Sequence, residues 1–196
     1  MTPRINRKRS DATKQDADWV DVNLALLAER LPRLDLSGSN VTARIFRLRE
    51  IYVKTLDKTH AQFELKPRMF LVLAALYRSG RPYTLSPASL MRYLMWSSAG
   101  LSQLLDRMAR AGLIRRQSHP NNGRGVLVML LPEGERVIVA AFPVHCRTEL
   151  RLISGLSKTE HSTLVALLRK LLIAVEGPQV APTPSSRRRV PVKAVR

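Results

Sequence analysis

The chain has a single cysteine, Cys146, among 196 residues. One thiol excludes an intramolecular disulfide, so packing alone must hold the fold, as in proteins of a reducing compartment. It stands in the apolar stretch "VIVAAFPVHC", where a lone cysteine reads as a small hydrophobe rather than a redox centre. Aromatics are also scarce, with two Trp, four Tyr and four Phe, which leaves aliphatic side chains to build the core. No apolar run reaches the ~18 residues of a membrane span, and the basic N-terminus lacks the apolar segment of a secretory signal. The expectation is a cytoplasmic chain that makes no use of a membrane. The four histidines (His60, His119, His145, His161) show no metal-ligand spacing, and neither a phosphate loop nor a Ser-His-Asp order stands out. Neither a metal, a cofactor nor catalysis is therefore expected.

Acidic residues are the other shortage. Fifteen Asp and Glu face 33 Lys and Arg, a net charge of +18 that calls for a polyanionic partner, nucleic acid before membrane. The excess is not confined to the ends. Residues 1–10 carry +4 and residues 177–196 carry +5, which leaves +9 on the body. Residues 1–18 form a basic arm without periodicity, and residues 177–196 a basic tail with four prolines; both read as disordered.

Between these ends the apolar pattern is helical. Val20, Leu24, Leu27 and Leu31 repeat at helical spacing until Pro32 and Gly38 interrupt them, and Val41, Ile45, Leu48, Tyr52 and Leu56 mark a second helix from about Ser39. "LKPRMFLVLAALYRSG" places Pro67 in a first turn and Gly80 beyond the last, and its run of apolar residues on more than one side predicts burial. Ser86 and Pro87 start the next helix, and Ser97 or Ser98 starts another that stops at Gly112. Two short helices joined by a tight turn, the second polar on one face, form a helix-turn-helix pattern.

The strand-like runs "LIRRQS" and "GVLVMLL" follow, joined by "HPNNGR", whose Asn-Gly pair signals a hairpin. Beyond it a helix starts at Pro132, with a kink or break expected between Ala140 and Pro143, because an interior proline removes one hydrogen bond. Ser157 and Glu160 make a capping box for a last helix striped by Leu164, Leu167, Leu168, Leu171, Leu172 and Val175.

The fold class expected is mainly α, a winged helix-turn-helix over residues 67–131 flanked by dimerisation helices at 19–66 and 132–176. The second helix of the pair would enter the major groove of double-stranded DNA and the hairpin the minor groove. Leu101, Leu105 and Met108 pack inward. Ser97, Ser98, Ser102, Gln103, Arg107 and Arg110 are the candidate groove and phosphate contacts, with Asp106 on the same outward face. Ser97 and Ser98 suit a phosphate at the helix N-terminus, and Gln103 could pair with adenine. Arg124, read at the hairpin tip, would enter the narrow minor groove, and Gly125 would let the backbone approach a phosphate. The flanking stripes exceed what one winged helix covers, so a homodimer reading two half-sites is expected.

The layout, with "SSAGLSQLLDRMARAGLIRR", "NNGRGVLV" and "LPEGERVI", resembles the MarR family of dimeric transcriptional regulators over roughly residues 20–176, and is nearer to its branch with an extra N-terminal helix. That resemblance implies repression of nearby genes, relieved by a small aromatic or phenolic ligand, with Trp19 as the candidate effector contact. The chain departs from the family pattern in the wing, where Asn122, Gly123 and Arg124 replace an Asp and two Arg, and in the reading helix, where Ser102, Gln103 and Leu104 replace a polar-Asn-Arg triplet. Leu71 stands where urate-responsive members carry an acid. Lys66 and Leu131 replace hydroxyl caps. A competing reading, an architectural or replication-type winged-helix protein without an effector, draws on the same basic tails.

Overall fold

In a computed structural model of the chain, residues 17–119 and 122–178 are described. The helices start where local chemistry satisfies their free N–H groups. Asp18, which the sequence places in the basic arm, caps α1 (Trp19–Arg30) by accepting from the N–H groups of Val20 and Asp21, and Asp21 completes a capping box. Arg44 of α2 (Ser37–Ala61) then ties the two helices, donating to Asp18 at 2.8 Å and to Asp21 at 2.6 Å. Its guanidinium holds the Asp21 carboxyl below the usual carboxylate range. Helix α3 (Pro67–Arg78) has Pro67 in its first turn, and Lys66 supplies no side-chain cap. It is the centre of the core, with Met69, Phe70, Val72, Leu73, Ala74, Ala75 and Leu76 all buried, as its composition demands.

Helix α4 (Pro87–Leu94) begins with the Ser86 hydroxyl accepting from the N–H of Ser89 at 3.1 Å. It ends on Met95 in the left-handed region (φ 54), where the N–H of Trp96 turns back to the carbonyl of Met91. That tight reversal is the turn of the helix-turn-helix. Helix α5 (Ser98–Arg110) follows and stops at Gly112 (φ 68), a conformation glycine adopts without strain.

The sheet has three antiparallel strands, β1 (Thr84–Leu85), β2 (Ile114–His119) and β3 (Asn122–Leu130), in the order β1-β3-β2. Strand β1 gives no signal in the sequence, because two residues are too few to show alternation. Its partners are Thr84↔Met129 and Leu85↔Val128. The hairpin also corrects an expectation. His119 pairs with Asn122 across an irregularity after Ser118, so Asn122, Gly123 and Arg124 belong to β3 and not to the connection. The ladder therefore reaches Asn122, and the Asn-Gly pair opens β3. Pro120 and Asn121 lie outside the described residues.

Helix α6 (Pro132–Leu152) runs through Pro143 without interruption, against the break expected at Ala140–Pro143. The buried positions Val137, Ile138, Ala141, His145 and Thr148 hold one face in the core, while Pro143 and Val139 are exposed. The carbonyl that loses its donor therefore lies on the solvent side, where water satisfies it.

The chain divides after Leu150 into two compact units. The first holds one core of Phe70, Leu73 and Leu76 with Leu90, Leu101, Leu105, Met108, Ile114, Val128 and Ile138. The second carries the end of α6 and α7 (Lys158–Glu176). Helix α7 starts with the expected box, the Ser157 N–H donating to Glu160 at 2.8 Å and the Glu160 N–H to the Ser157 hydroxyl at 3.3 Å. Gly177, read as part of the tail, returns its N–H to Ile173 at 2.9 Å. No side chain of α7 is buried, and its Leu164, Leu167, Leu168, Leu171, Leu172 and Val175 are all exposed. Residues 1–16 and 179–196, most of the expected arm and tail, lie outside the described residues.

Candidate nucleic-acid interface

Helix α5 is amphipathic in the sense its sequence requires. Leu101, Leu105 and Met108 are each at most 1 % exposed and lock one face onto the core, while Leu104 packs at its edge. The opposite face is thereby fixed outward. It presents Ser98, Ser102, Gln103, Asp106, Arg107 and Arg110, and this places the sequence-predicted residues of the helix on one surface. Ser97 occupies the N-cap position in extended backbone, but its hydroxyl makes no cap hydrogen bond. The hydroxyls of Ser97 and Ser98 therefore flank the free N–H groups of a helix start.

The sheet is joined to this helix by charge. Arg116 of β2 donates to the carboxylate of Asp106 on the exposed face of α5, a contact the sequence reading lacked. With both side chains about one third exposed or more, the pair adds little stability; it links the wing strand to the outward face of α5. Arg115 reaches Gln117 at 3.3 Å along the same strand. The backbones of Arg124 and Gly125 lie within β3, and the side chain of Arg124 is outside the described atoms.

The base of the sheet is pinned to α6. Glu135 accepts from Arg81 at 3.1 Å and from the Tyr83 hydroxyl at 3.1 Å, and the carbonyl of Tyr83 accepts from the N–H of Leu130. Burial, then the Glu135 carboxylate, raises the Tyr83 phenol above its ordinary pKa. The phenol is thus a permanent donor at neutral pH.

Trp19, the candidate effector contact, is half exposed beneath the guanidinium of Arg47, 4.5 Å from its ring centroid. A cleft of about 390 Å³ lies elsewhere in the same unit, between the α2–α3 turn, the end of α5 and the start of α6, with Phe63, Met69, Leu113, Arg136 and Val137 in its wall. Trp19 is not in that wall. Leu71 is partly exposed on α3.

A partly buried polar chain is absent from the sequence expectations. Tyr52 donates to Glu149 at 2.7 Å, Glu149 lies 3.2 Å from Nε2 of His145, and Nδ1 of His145 lies 3.2 Å from Nε2 of His60. Both rings stack on Phe70, with centroids 4.2 and 4.3 Å away. A carboxylate only accepts, so His145 carries its proton on Nε2 and His60 donates through Nε2 to His145. Nδ1 of His60 is then a buried lone pair without a partner among the described residues. The signal was available in two stripes. The α2 face Tyr52, Leu56 continues at helical spacing to His60, and the α6 face Ile138, Ala141 continues to His145 and Thr148. No cluster of three or more metal-binding side chains occurs among the described residues, nor does any of their helices have the length and apolarity to cross a membrane.

The model for the MarR family matches residues 63–125, which run from the α2–α3 turn to the start of β3. The transcriptional regulator PecS of Dickeya dadantii is 32% identical over 140 residues, which cover 71% of this chain and 84% of that protein. The multiple antibiotic resistance protein MarR of Salmonella typhimurium is 33% identical over 132 residues, covering 64% of this chain and 81% of that one. Among solved structures, a cysteine-to-serine mutant of Escherichia coli MarR complexed with operator DNA superposes with a TM-score of 0.63 at 24% identity, over 71% of this chain and 99% of that chain.

Proposed function

The chain belongs to the MarR family of transcriptional regulators, and from that premise we propose that it binds double-stranded DNA sequence-specifically as a homodimer through the exposed face of α5. The observation that carries the reading is the geometry of that face. Ser98, Ser102, Gln103, Arg107 and Arg110 stand outward because Leu101, Leu105 and Met108 are locked inward, on a helix set beside a three-stranded wing. In this reading α5 enters the major groove, Gln103 reads an adenine edge, and Ser97 and Ser98 meet a phosphate at the helix start. Arg124 and Gly125 of β3 serve the neighbouring minor groove and its backbone. Residues 67–131 act as the DNA-binding domain between dimerisation segments 19–66 and 132–176, with basic ends at 1–18 and 177–196.

The partner is a second copy of the chain. The apolar side chains left exposed on α1, α2 and α7 are the kind a symmetric dimer covers. Such a dimer presents two reading helices about 34 Å apart to a pseudo-palindrome in the cytoplasm, and represses the adjacent genes. A small aromatic or phenolic effector releases it, with the ring of Trp19 under Arg47 as a candidate contact. The regulator reading is preferred to an architectural one because the relative PecS, matched over 84% of its length, is named a transcriptional regulator; it offers no support for an enzyme.

Replacing Gln103 by alanine is expected to relax base preference at one position of each half-site, by ~1–3 kcal/mol for a lost bidentate pair. Competition binding with single-base operator variants measures this. A variant that keeps the preferences of the parent removes Gln103 from the readout.

A further inference from the structure

Arg68 is the second residue of α3 and stands at the edge of the helix-turn-helix rather than on the reading helix. Its guanidinium carbon sits 5.0 Å from the ring centroid of Trp96, the residue in the turn between α4 and α5. A Cβ built on Gly100, in the first turn of α5, would lie 3.8 Å from Nη1 of Arg68. Three elements thus bring one cation beside the proposed DNA surface. Arg44, Arg81, Arg116 and Arg136 each pair with a carboxylate, whereas among the described residues no carboxylate pairs with Arg68. The guanidinium lies over the indole ring, and Arg68 is otherwise exposed, so its N–H groups can reach a ligand. A stacked guanidinium gives up less freedom when its fork meets two oxygens, and its planar fork matches phosphate.

We propose that Arg68, braced on Trp96, is a backbone-phosphate contact of the DNA interface, an anchor for α5 that carries no sequence information. The proposal rests on the DNA-binding reading given above. Each phosphate neutralised by a cation contributes about 0.9 to the slope of log K against log salt. A dimer carrying Arg68→Ala in both subunits is therefore expected to bind a mixed-sequence duplex with a slope shallower by about 1.8, and to bind its preferred sequence several-fold more weakly with base preferences unchanged. Arg68→Lys keeps the charge but not the stacked fork. It should retain the parental slope at reduced affinity. Trp96→Phe should behave like the parent, because an aromatic face remains to brace the guanidinium.

The experiment is a titration of the full chain and these variants onto labelled duplex between about 50 and 200 mM salt, with thermal melts to verify that each variant is folded. An Arg68→Ala slope equal to that of the parent overturns the assignment, as does a change in base preference, which would make Arg68 a base reader. Failure of the parent itself to bind in a salt-dependent way would instead overturn the DNA-binding reading, so the two failures are distinguishable.

Discussion

Gly134→Ala is expected to lower the melting temperature by roughly 10 °C, a cost of about 3 kcal/mol or more at ~2–4 °C per kcal/mol for a chain of this size. The reason is steric. Gly134 is in the first turn of α6, and a Cβ there would come 2.2 Å from the carbonyl oxygen of Leu113 and 2.8 Å from a methyl of Leu130. The first obstacle is backbone, and that carbonyl already accepts from the N–H of Leu131 at 3.1 Å. The added methyl therefore has to push α6 away from the corner between α5 and β2. Gly38 supplies the control, since a Cβ there meets nothing within 4 Å and the residue lies in the first turn of α2. Gly38→Ala should leave stability unchanged or raise it by up to about 1 kcal/mol through helix propensity. Thermal melts of the two variants test the pair; an unchanged melting temperature for Gly134→Ala would contradict the close approach.

The second large effect is with pH. His60 is fully buried, and burial, reinforced by the neighbouring His145, pushes its pKa down from 6.5 to about 4. His145 is lowered as well, mainly by burial, with Glu149 acting against the shift. The groups facing this pair are Tyr52, Asp57 and Thr59 from α2, Thr148 and Glu149 from α6, and the apolar ring of Phe70 from α3. The folded chain holds these protons less tightly than the unfolded chain does. Stability is therefore intact above pH 6.5, falls as the pH drops below it, and for His60 levels off below about 4. Across that gap His60 alone accounts for about 3 kcal/mol, of which about 2 kcal/mol is lost by about pH 5, before most carboxylates titrate. Urea unfolding at pH 8 and pH 5 should show this loss in the parent and a smaller one in His60→Phe, which keeps the stack on Phe70 but cannot take a proton. Equal losses in the two proteins would remove His60 from the acid response.

What the sequence made legible was whatever is encoded within a few residues. Ser86 with Pro87, Ser157 with Glu160, and the spacing of Leu101, Leu105 and Met108 each state a helix start or a buried face in local terms, and the structure has them where those terms put them. The outward face of α5 followed, because fixing one side of a helix fixes the other. What was not legible depends on partners far away in the chain. Arg116 meets Asp106 only once β2 folds back on α5, and His60 meets His145 across 85 residues. β1 exists only because β3 pairs with it. The course of α6 through Pro143 likewise depends on which side of the helix the rest of the unit buries. The hairpin shows a local signal overridden by pairing. Asn-Gly argues for a turn at residues 122–123, but the ladder extends to the His119–Asn122 pair and takes both residues into β3.

Selection of bound sequences from a random duplex library, with the full chain at a concentration where sedimentation shows its oligomeric state, tests the central claim most directly. The account predicts a dimer and a recovered pseudo-palindrome whose half-sites are centred about one helical turn apart, ~34 Å. A monomer that recovers sequences no different from the starting library would contradict it.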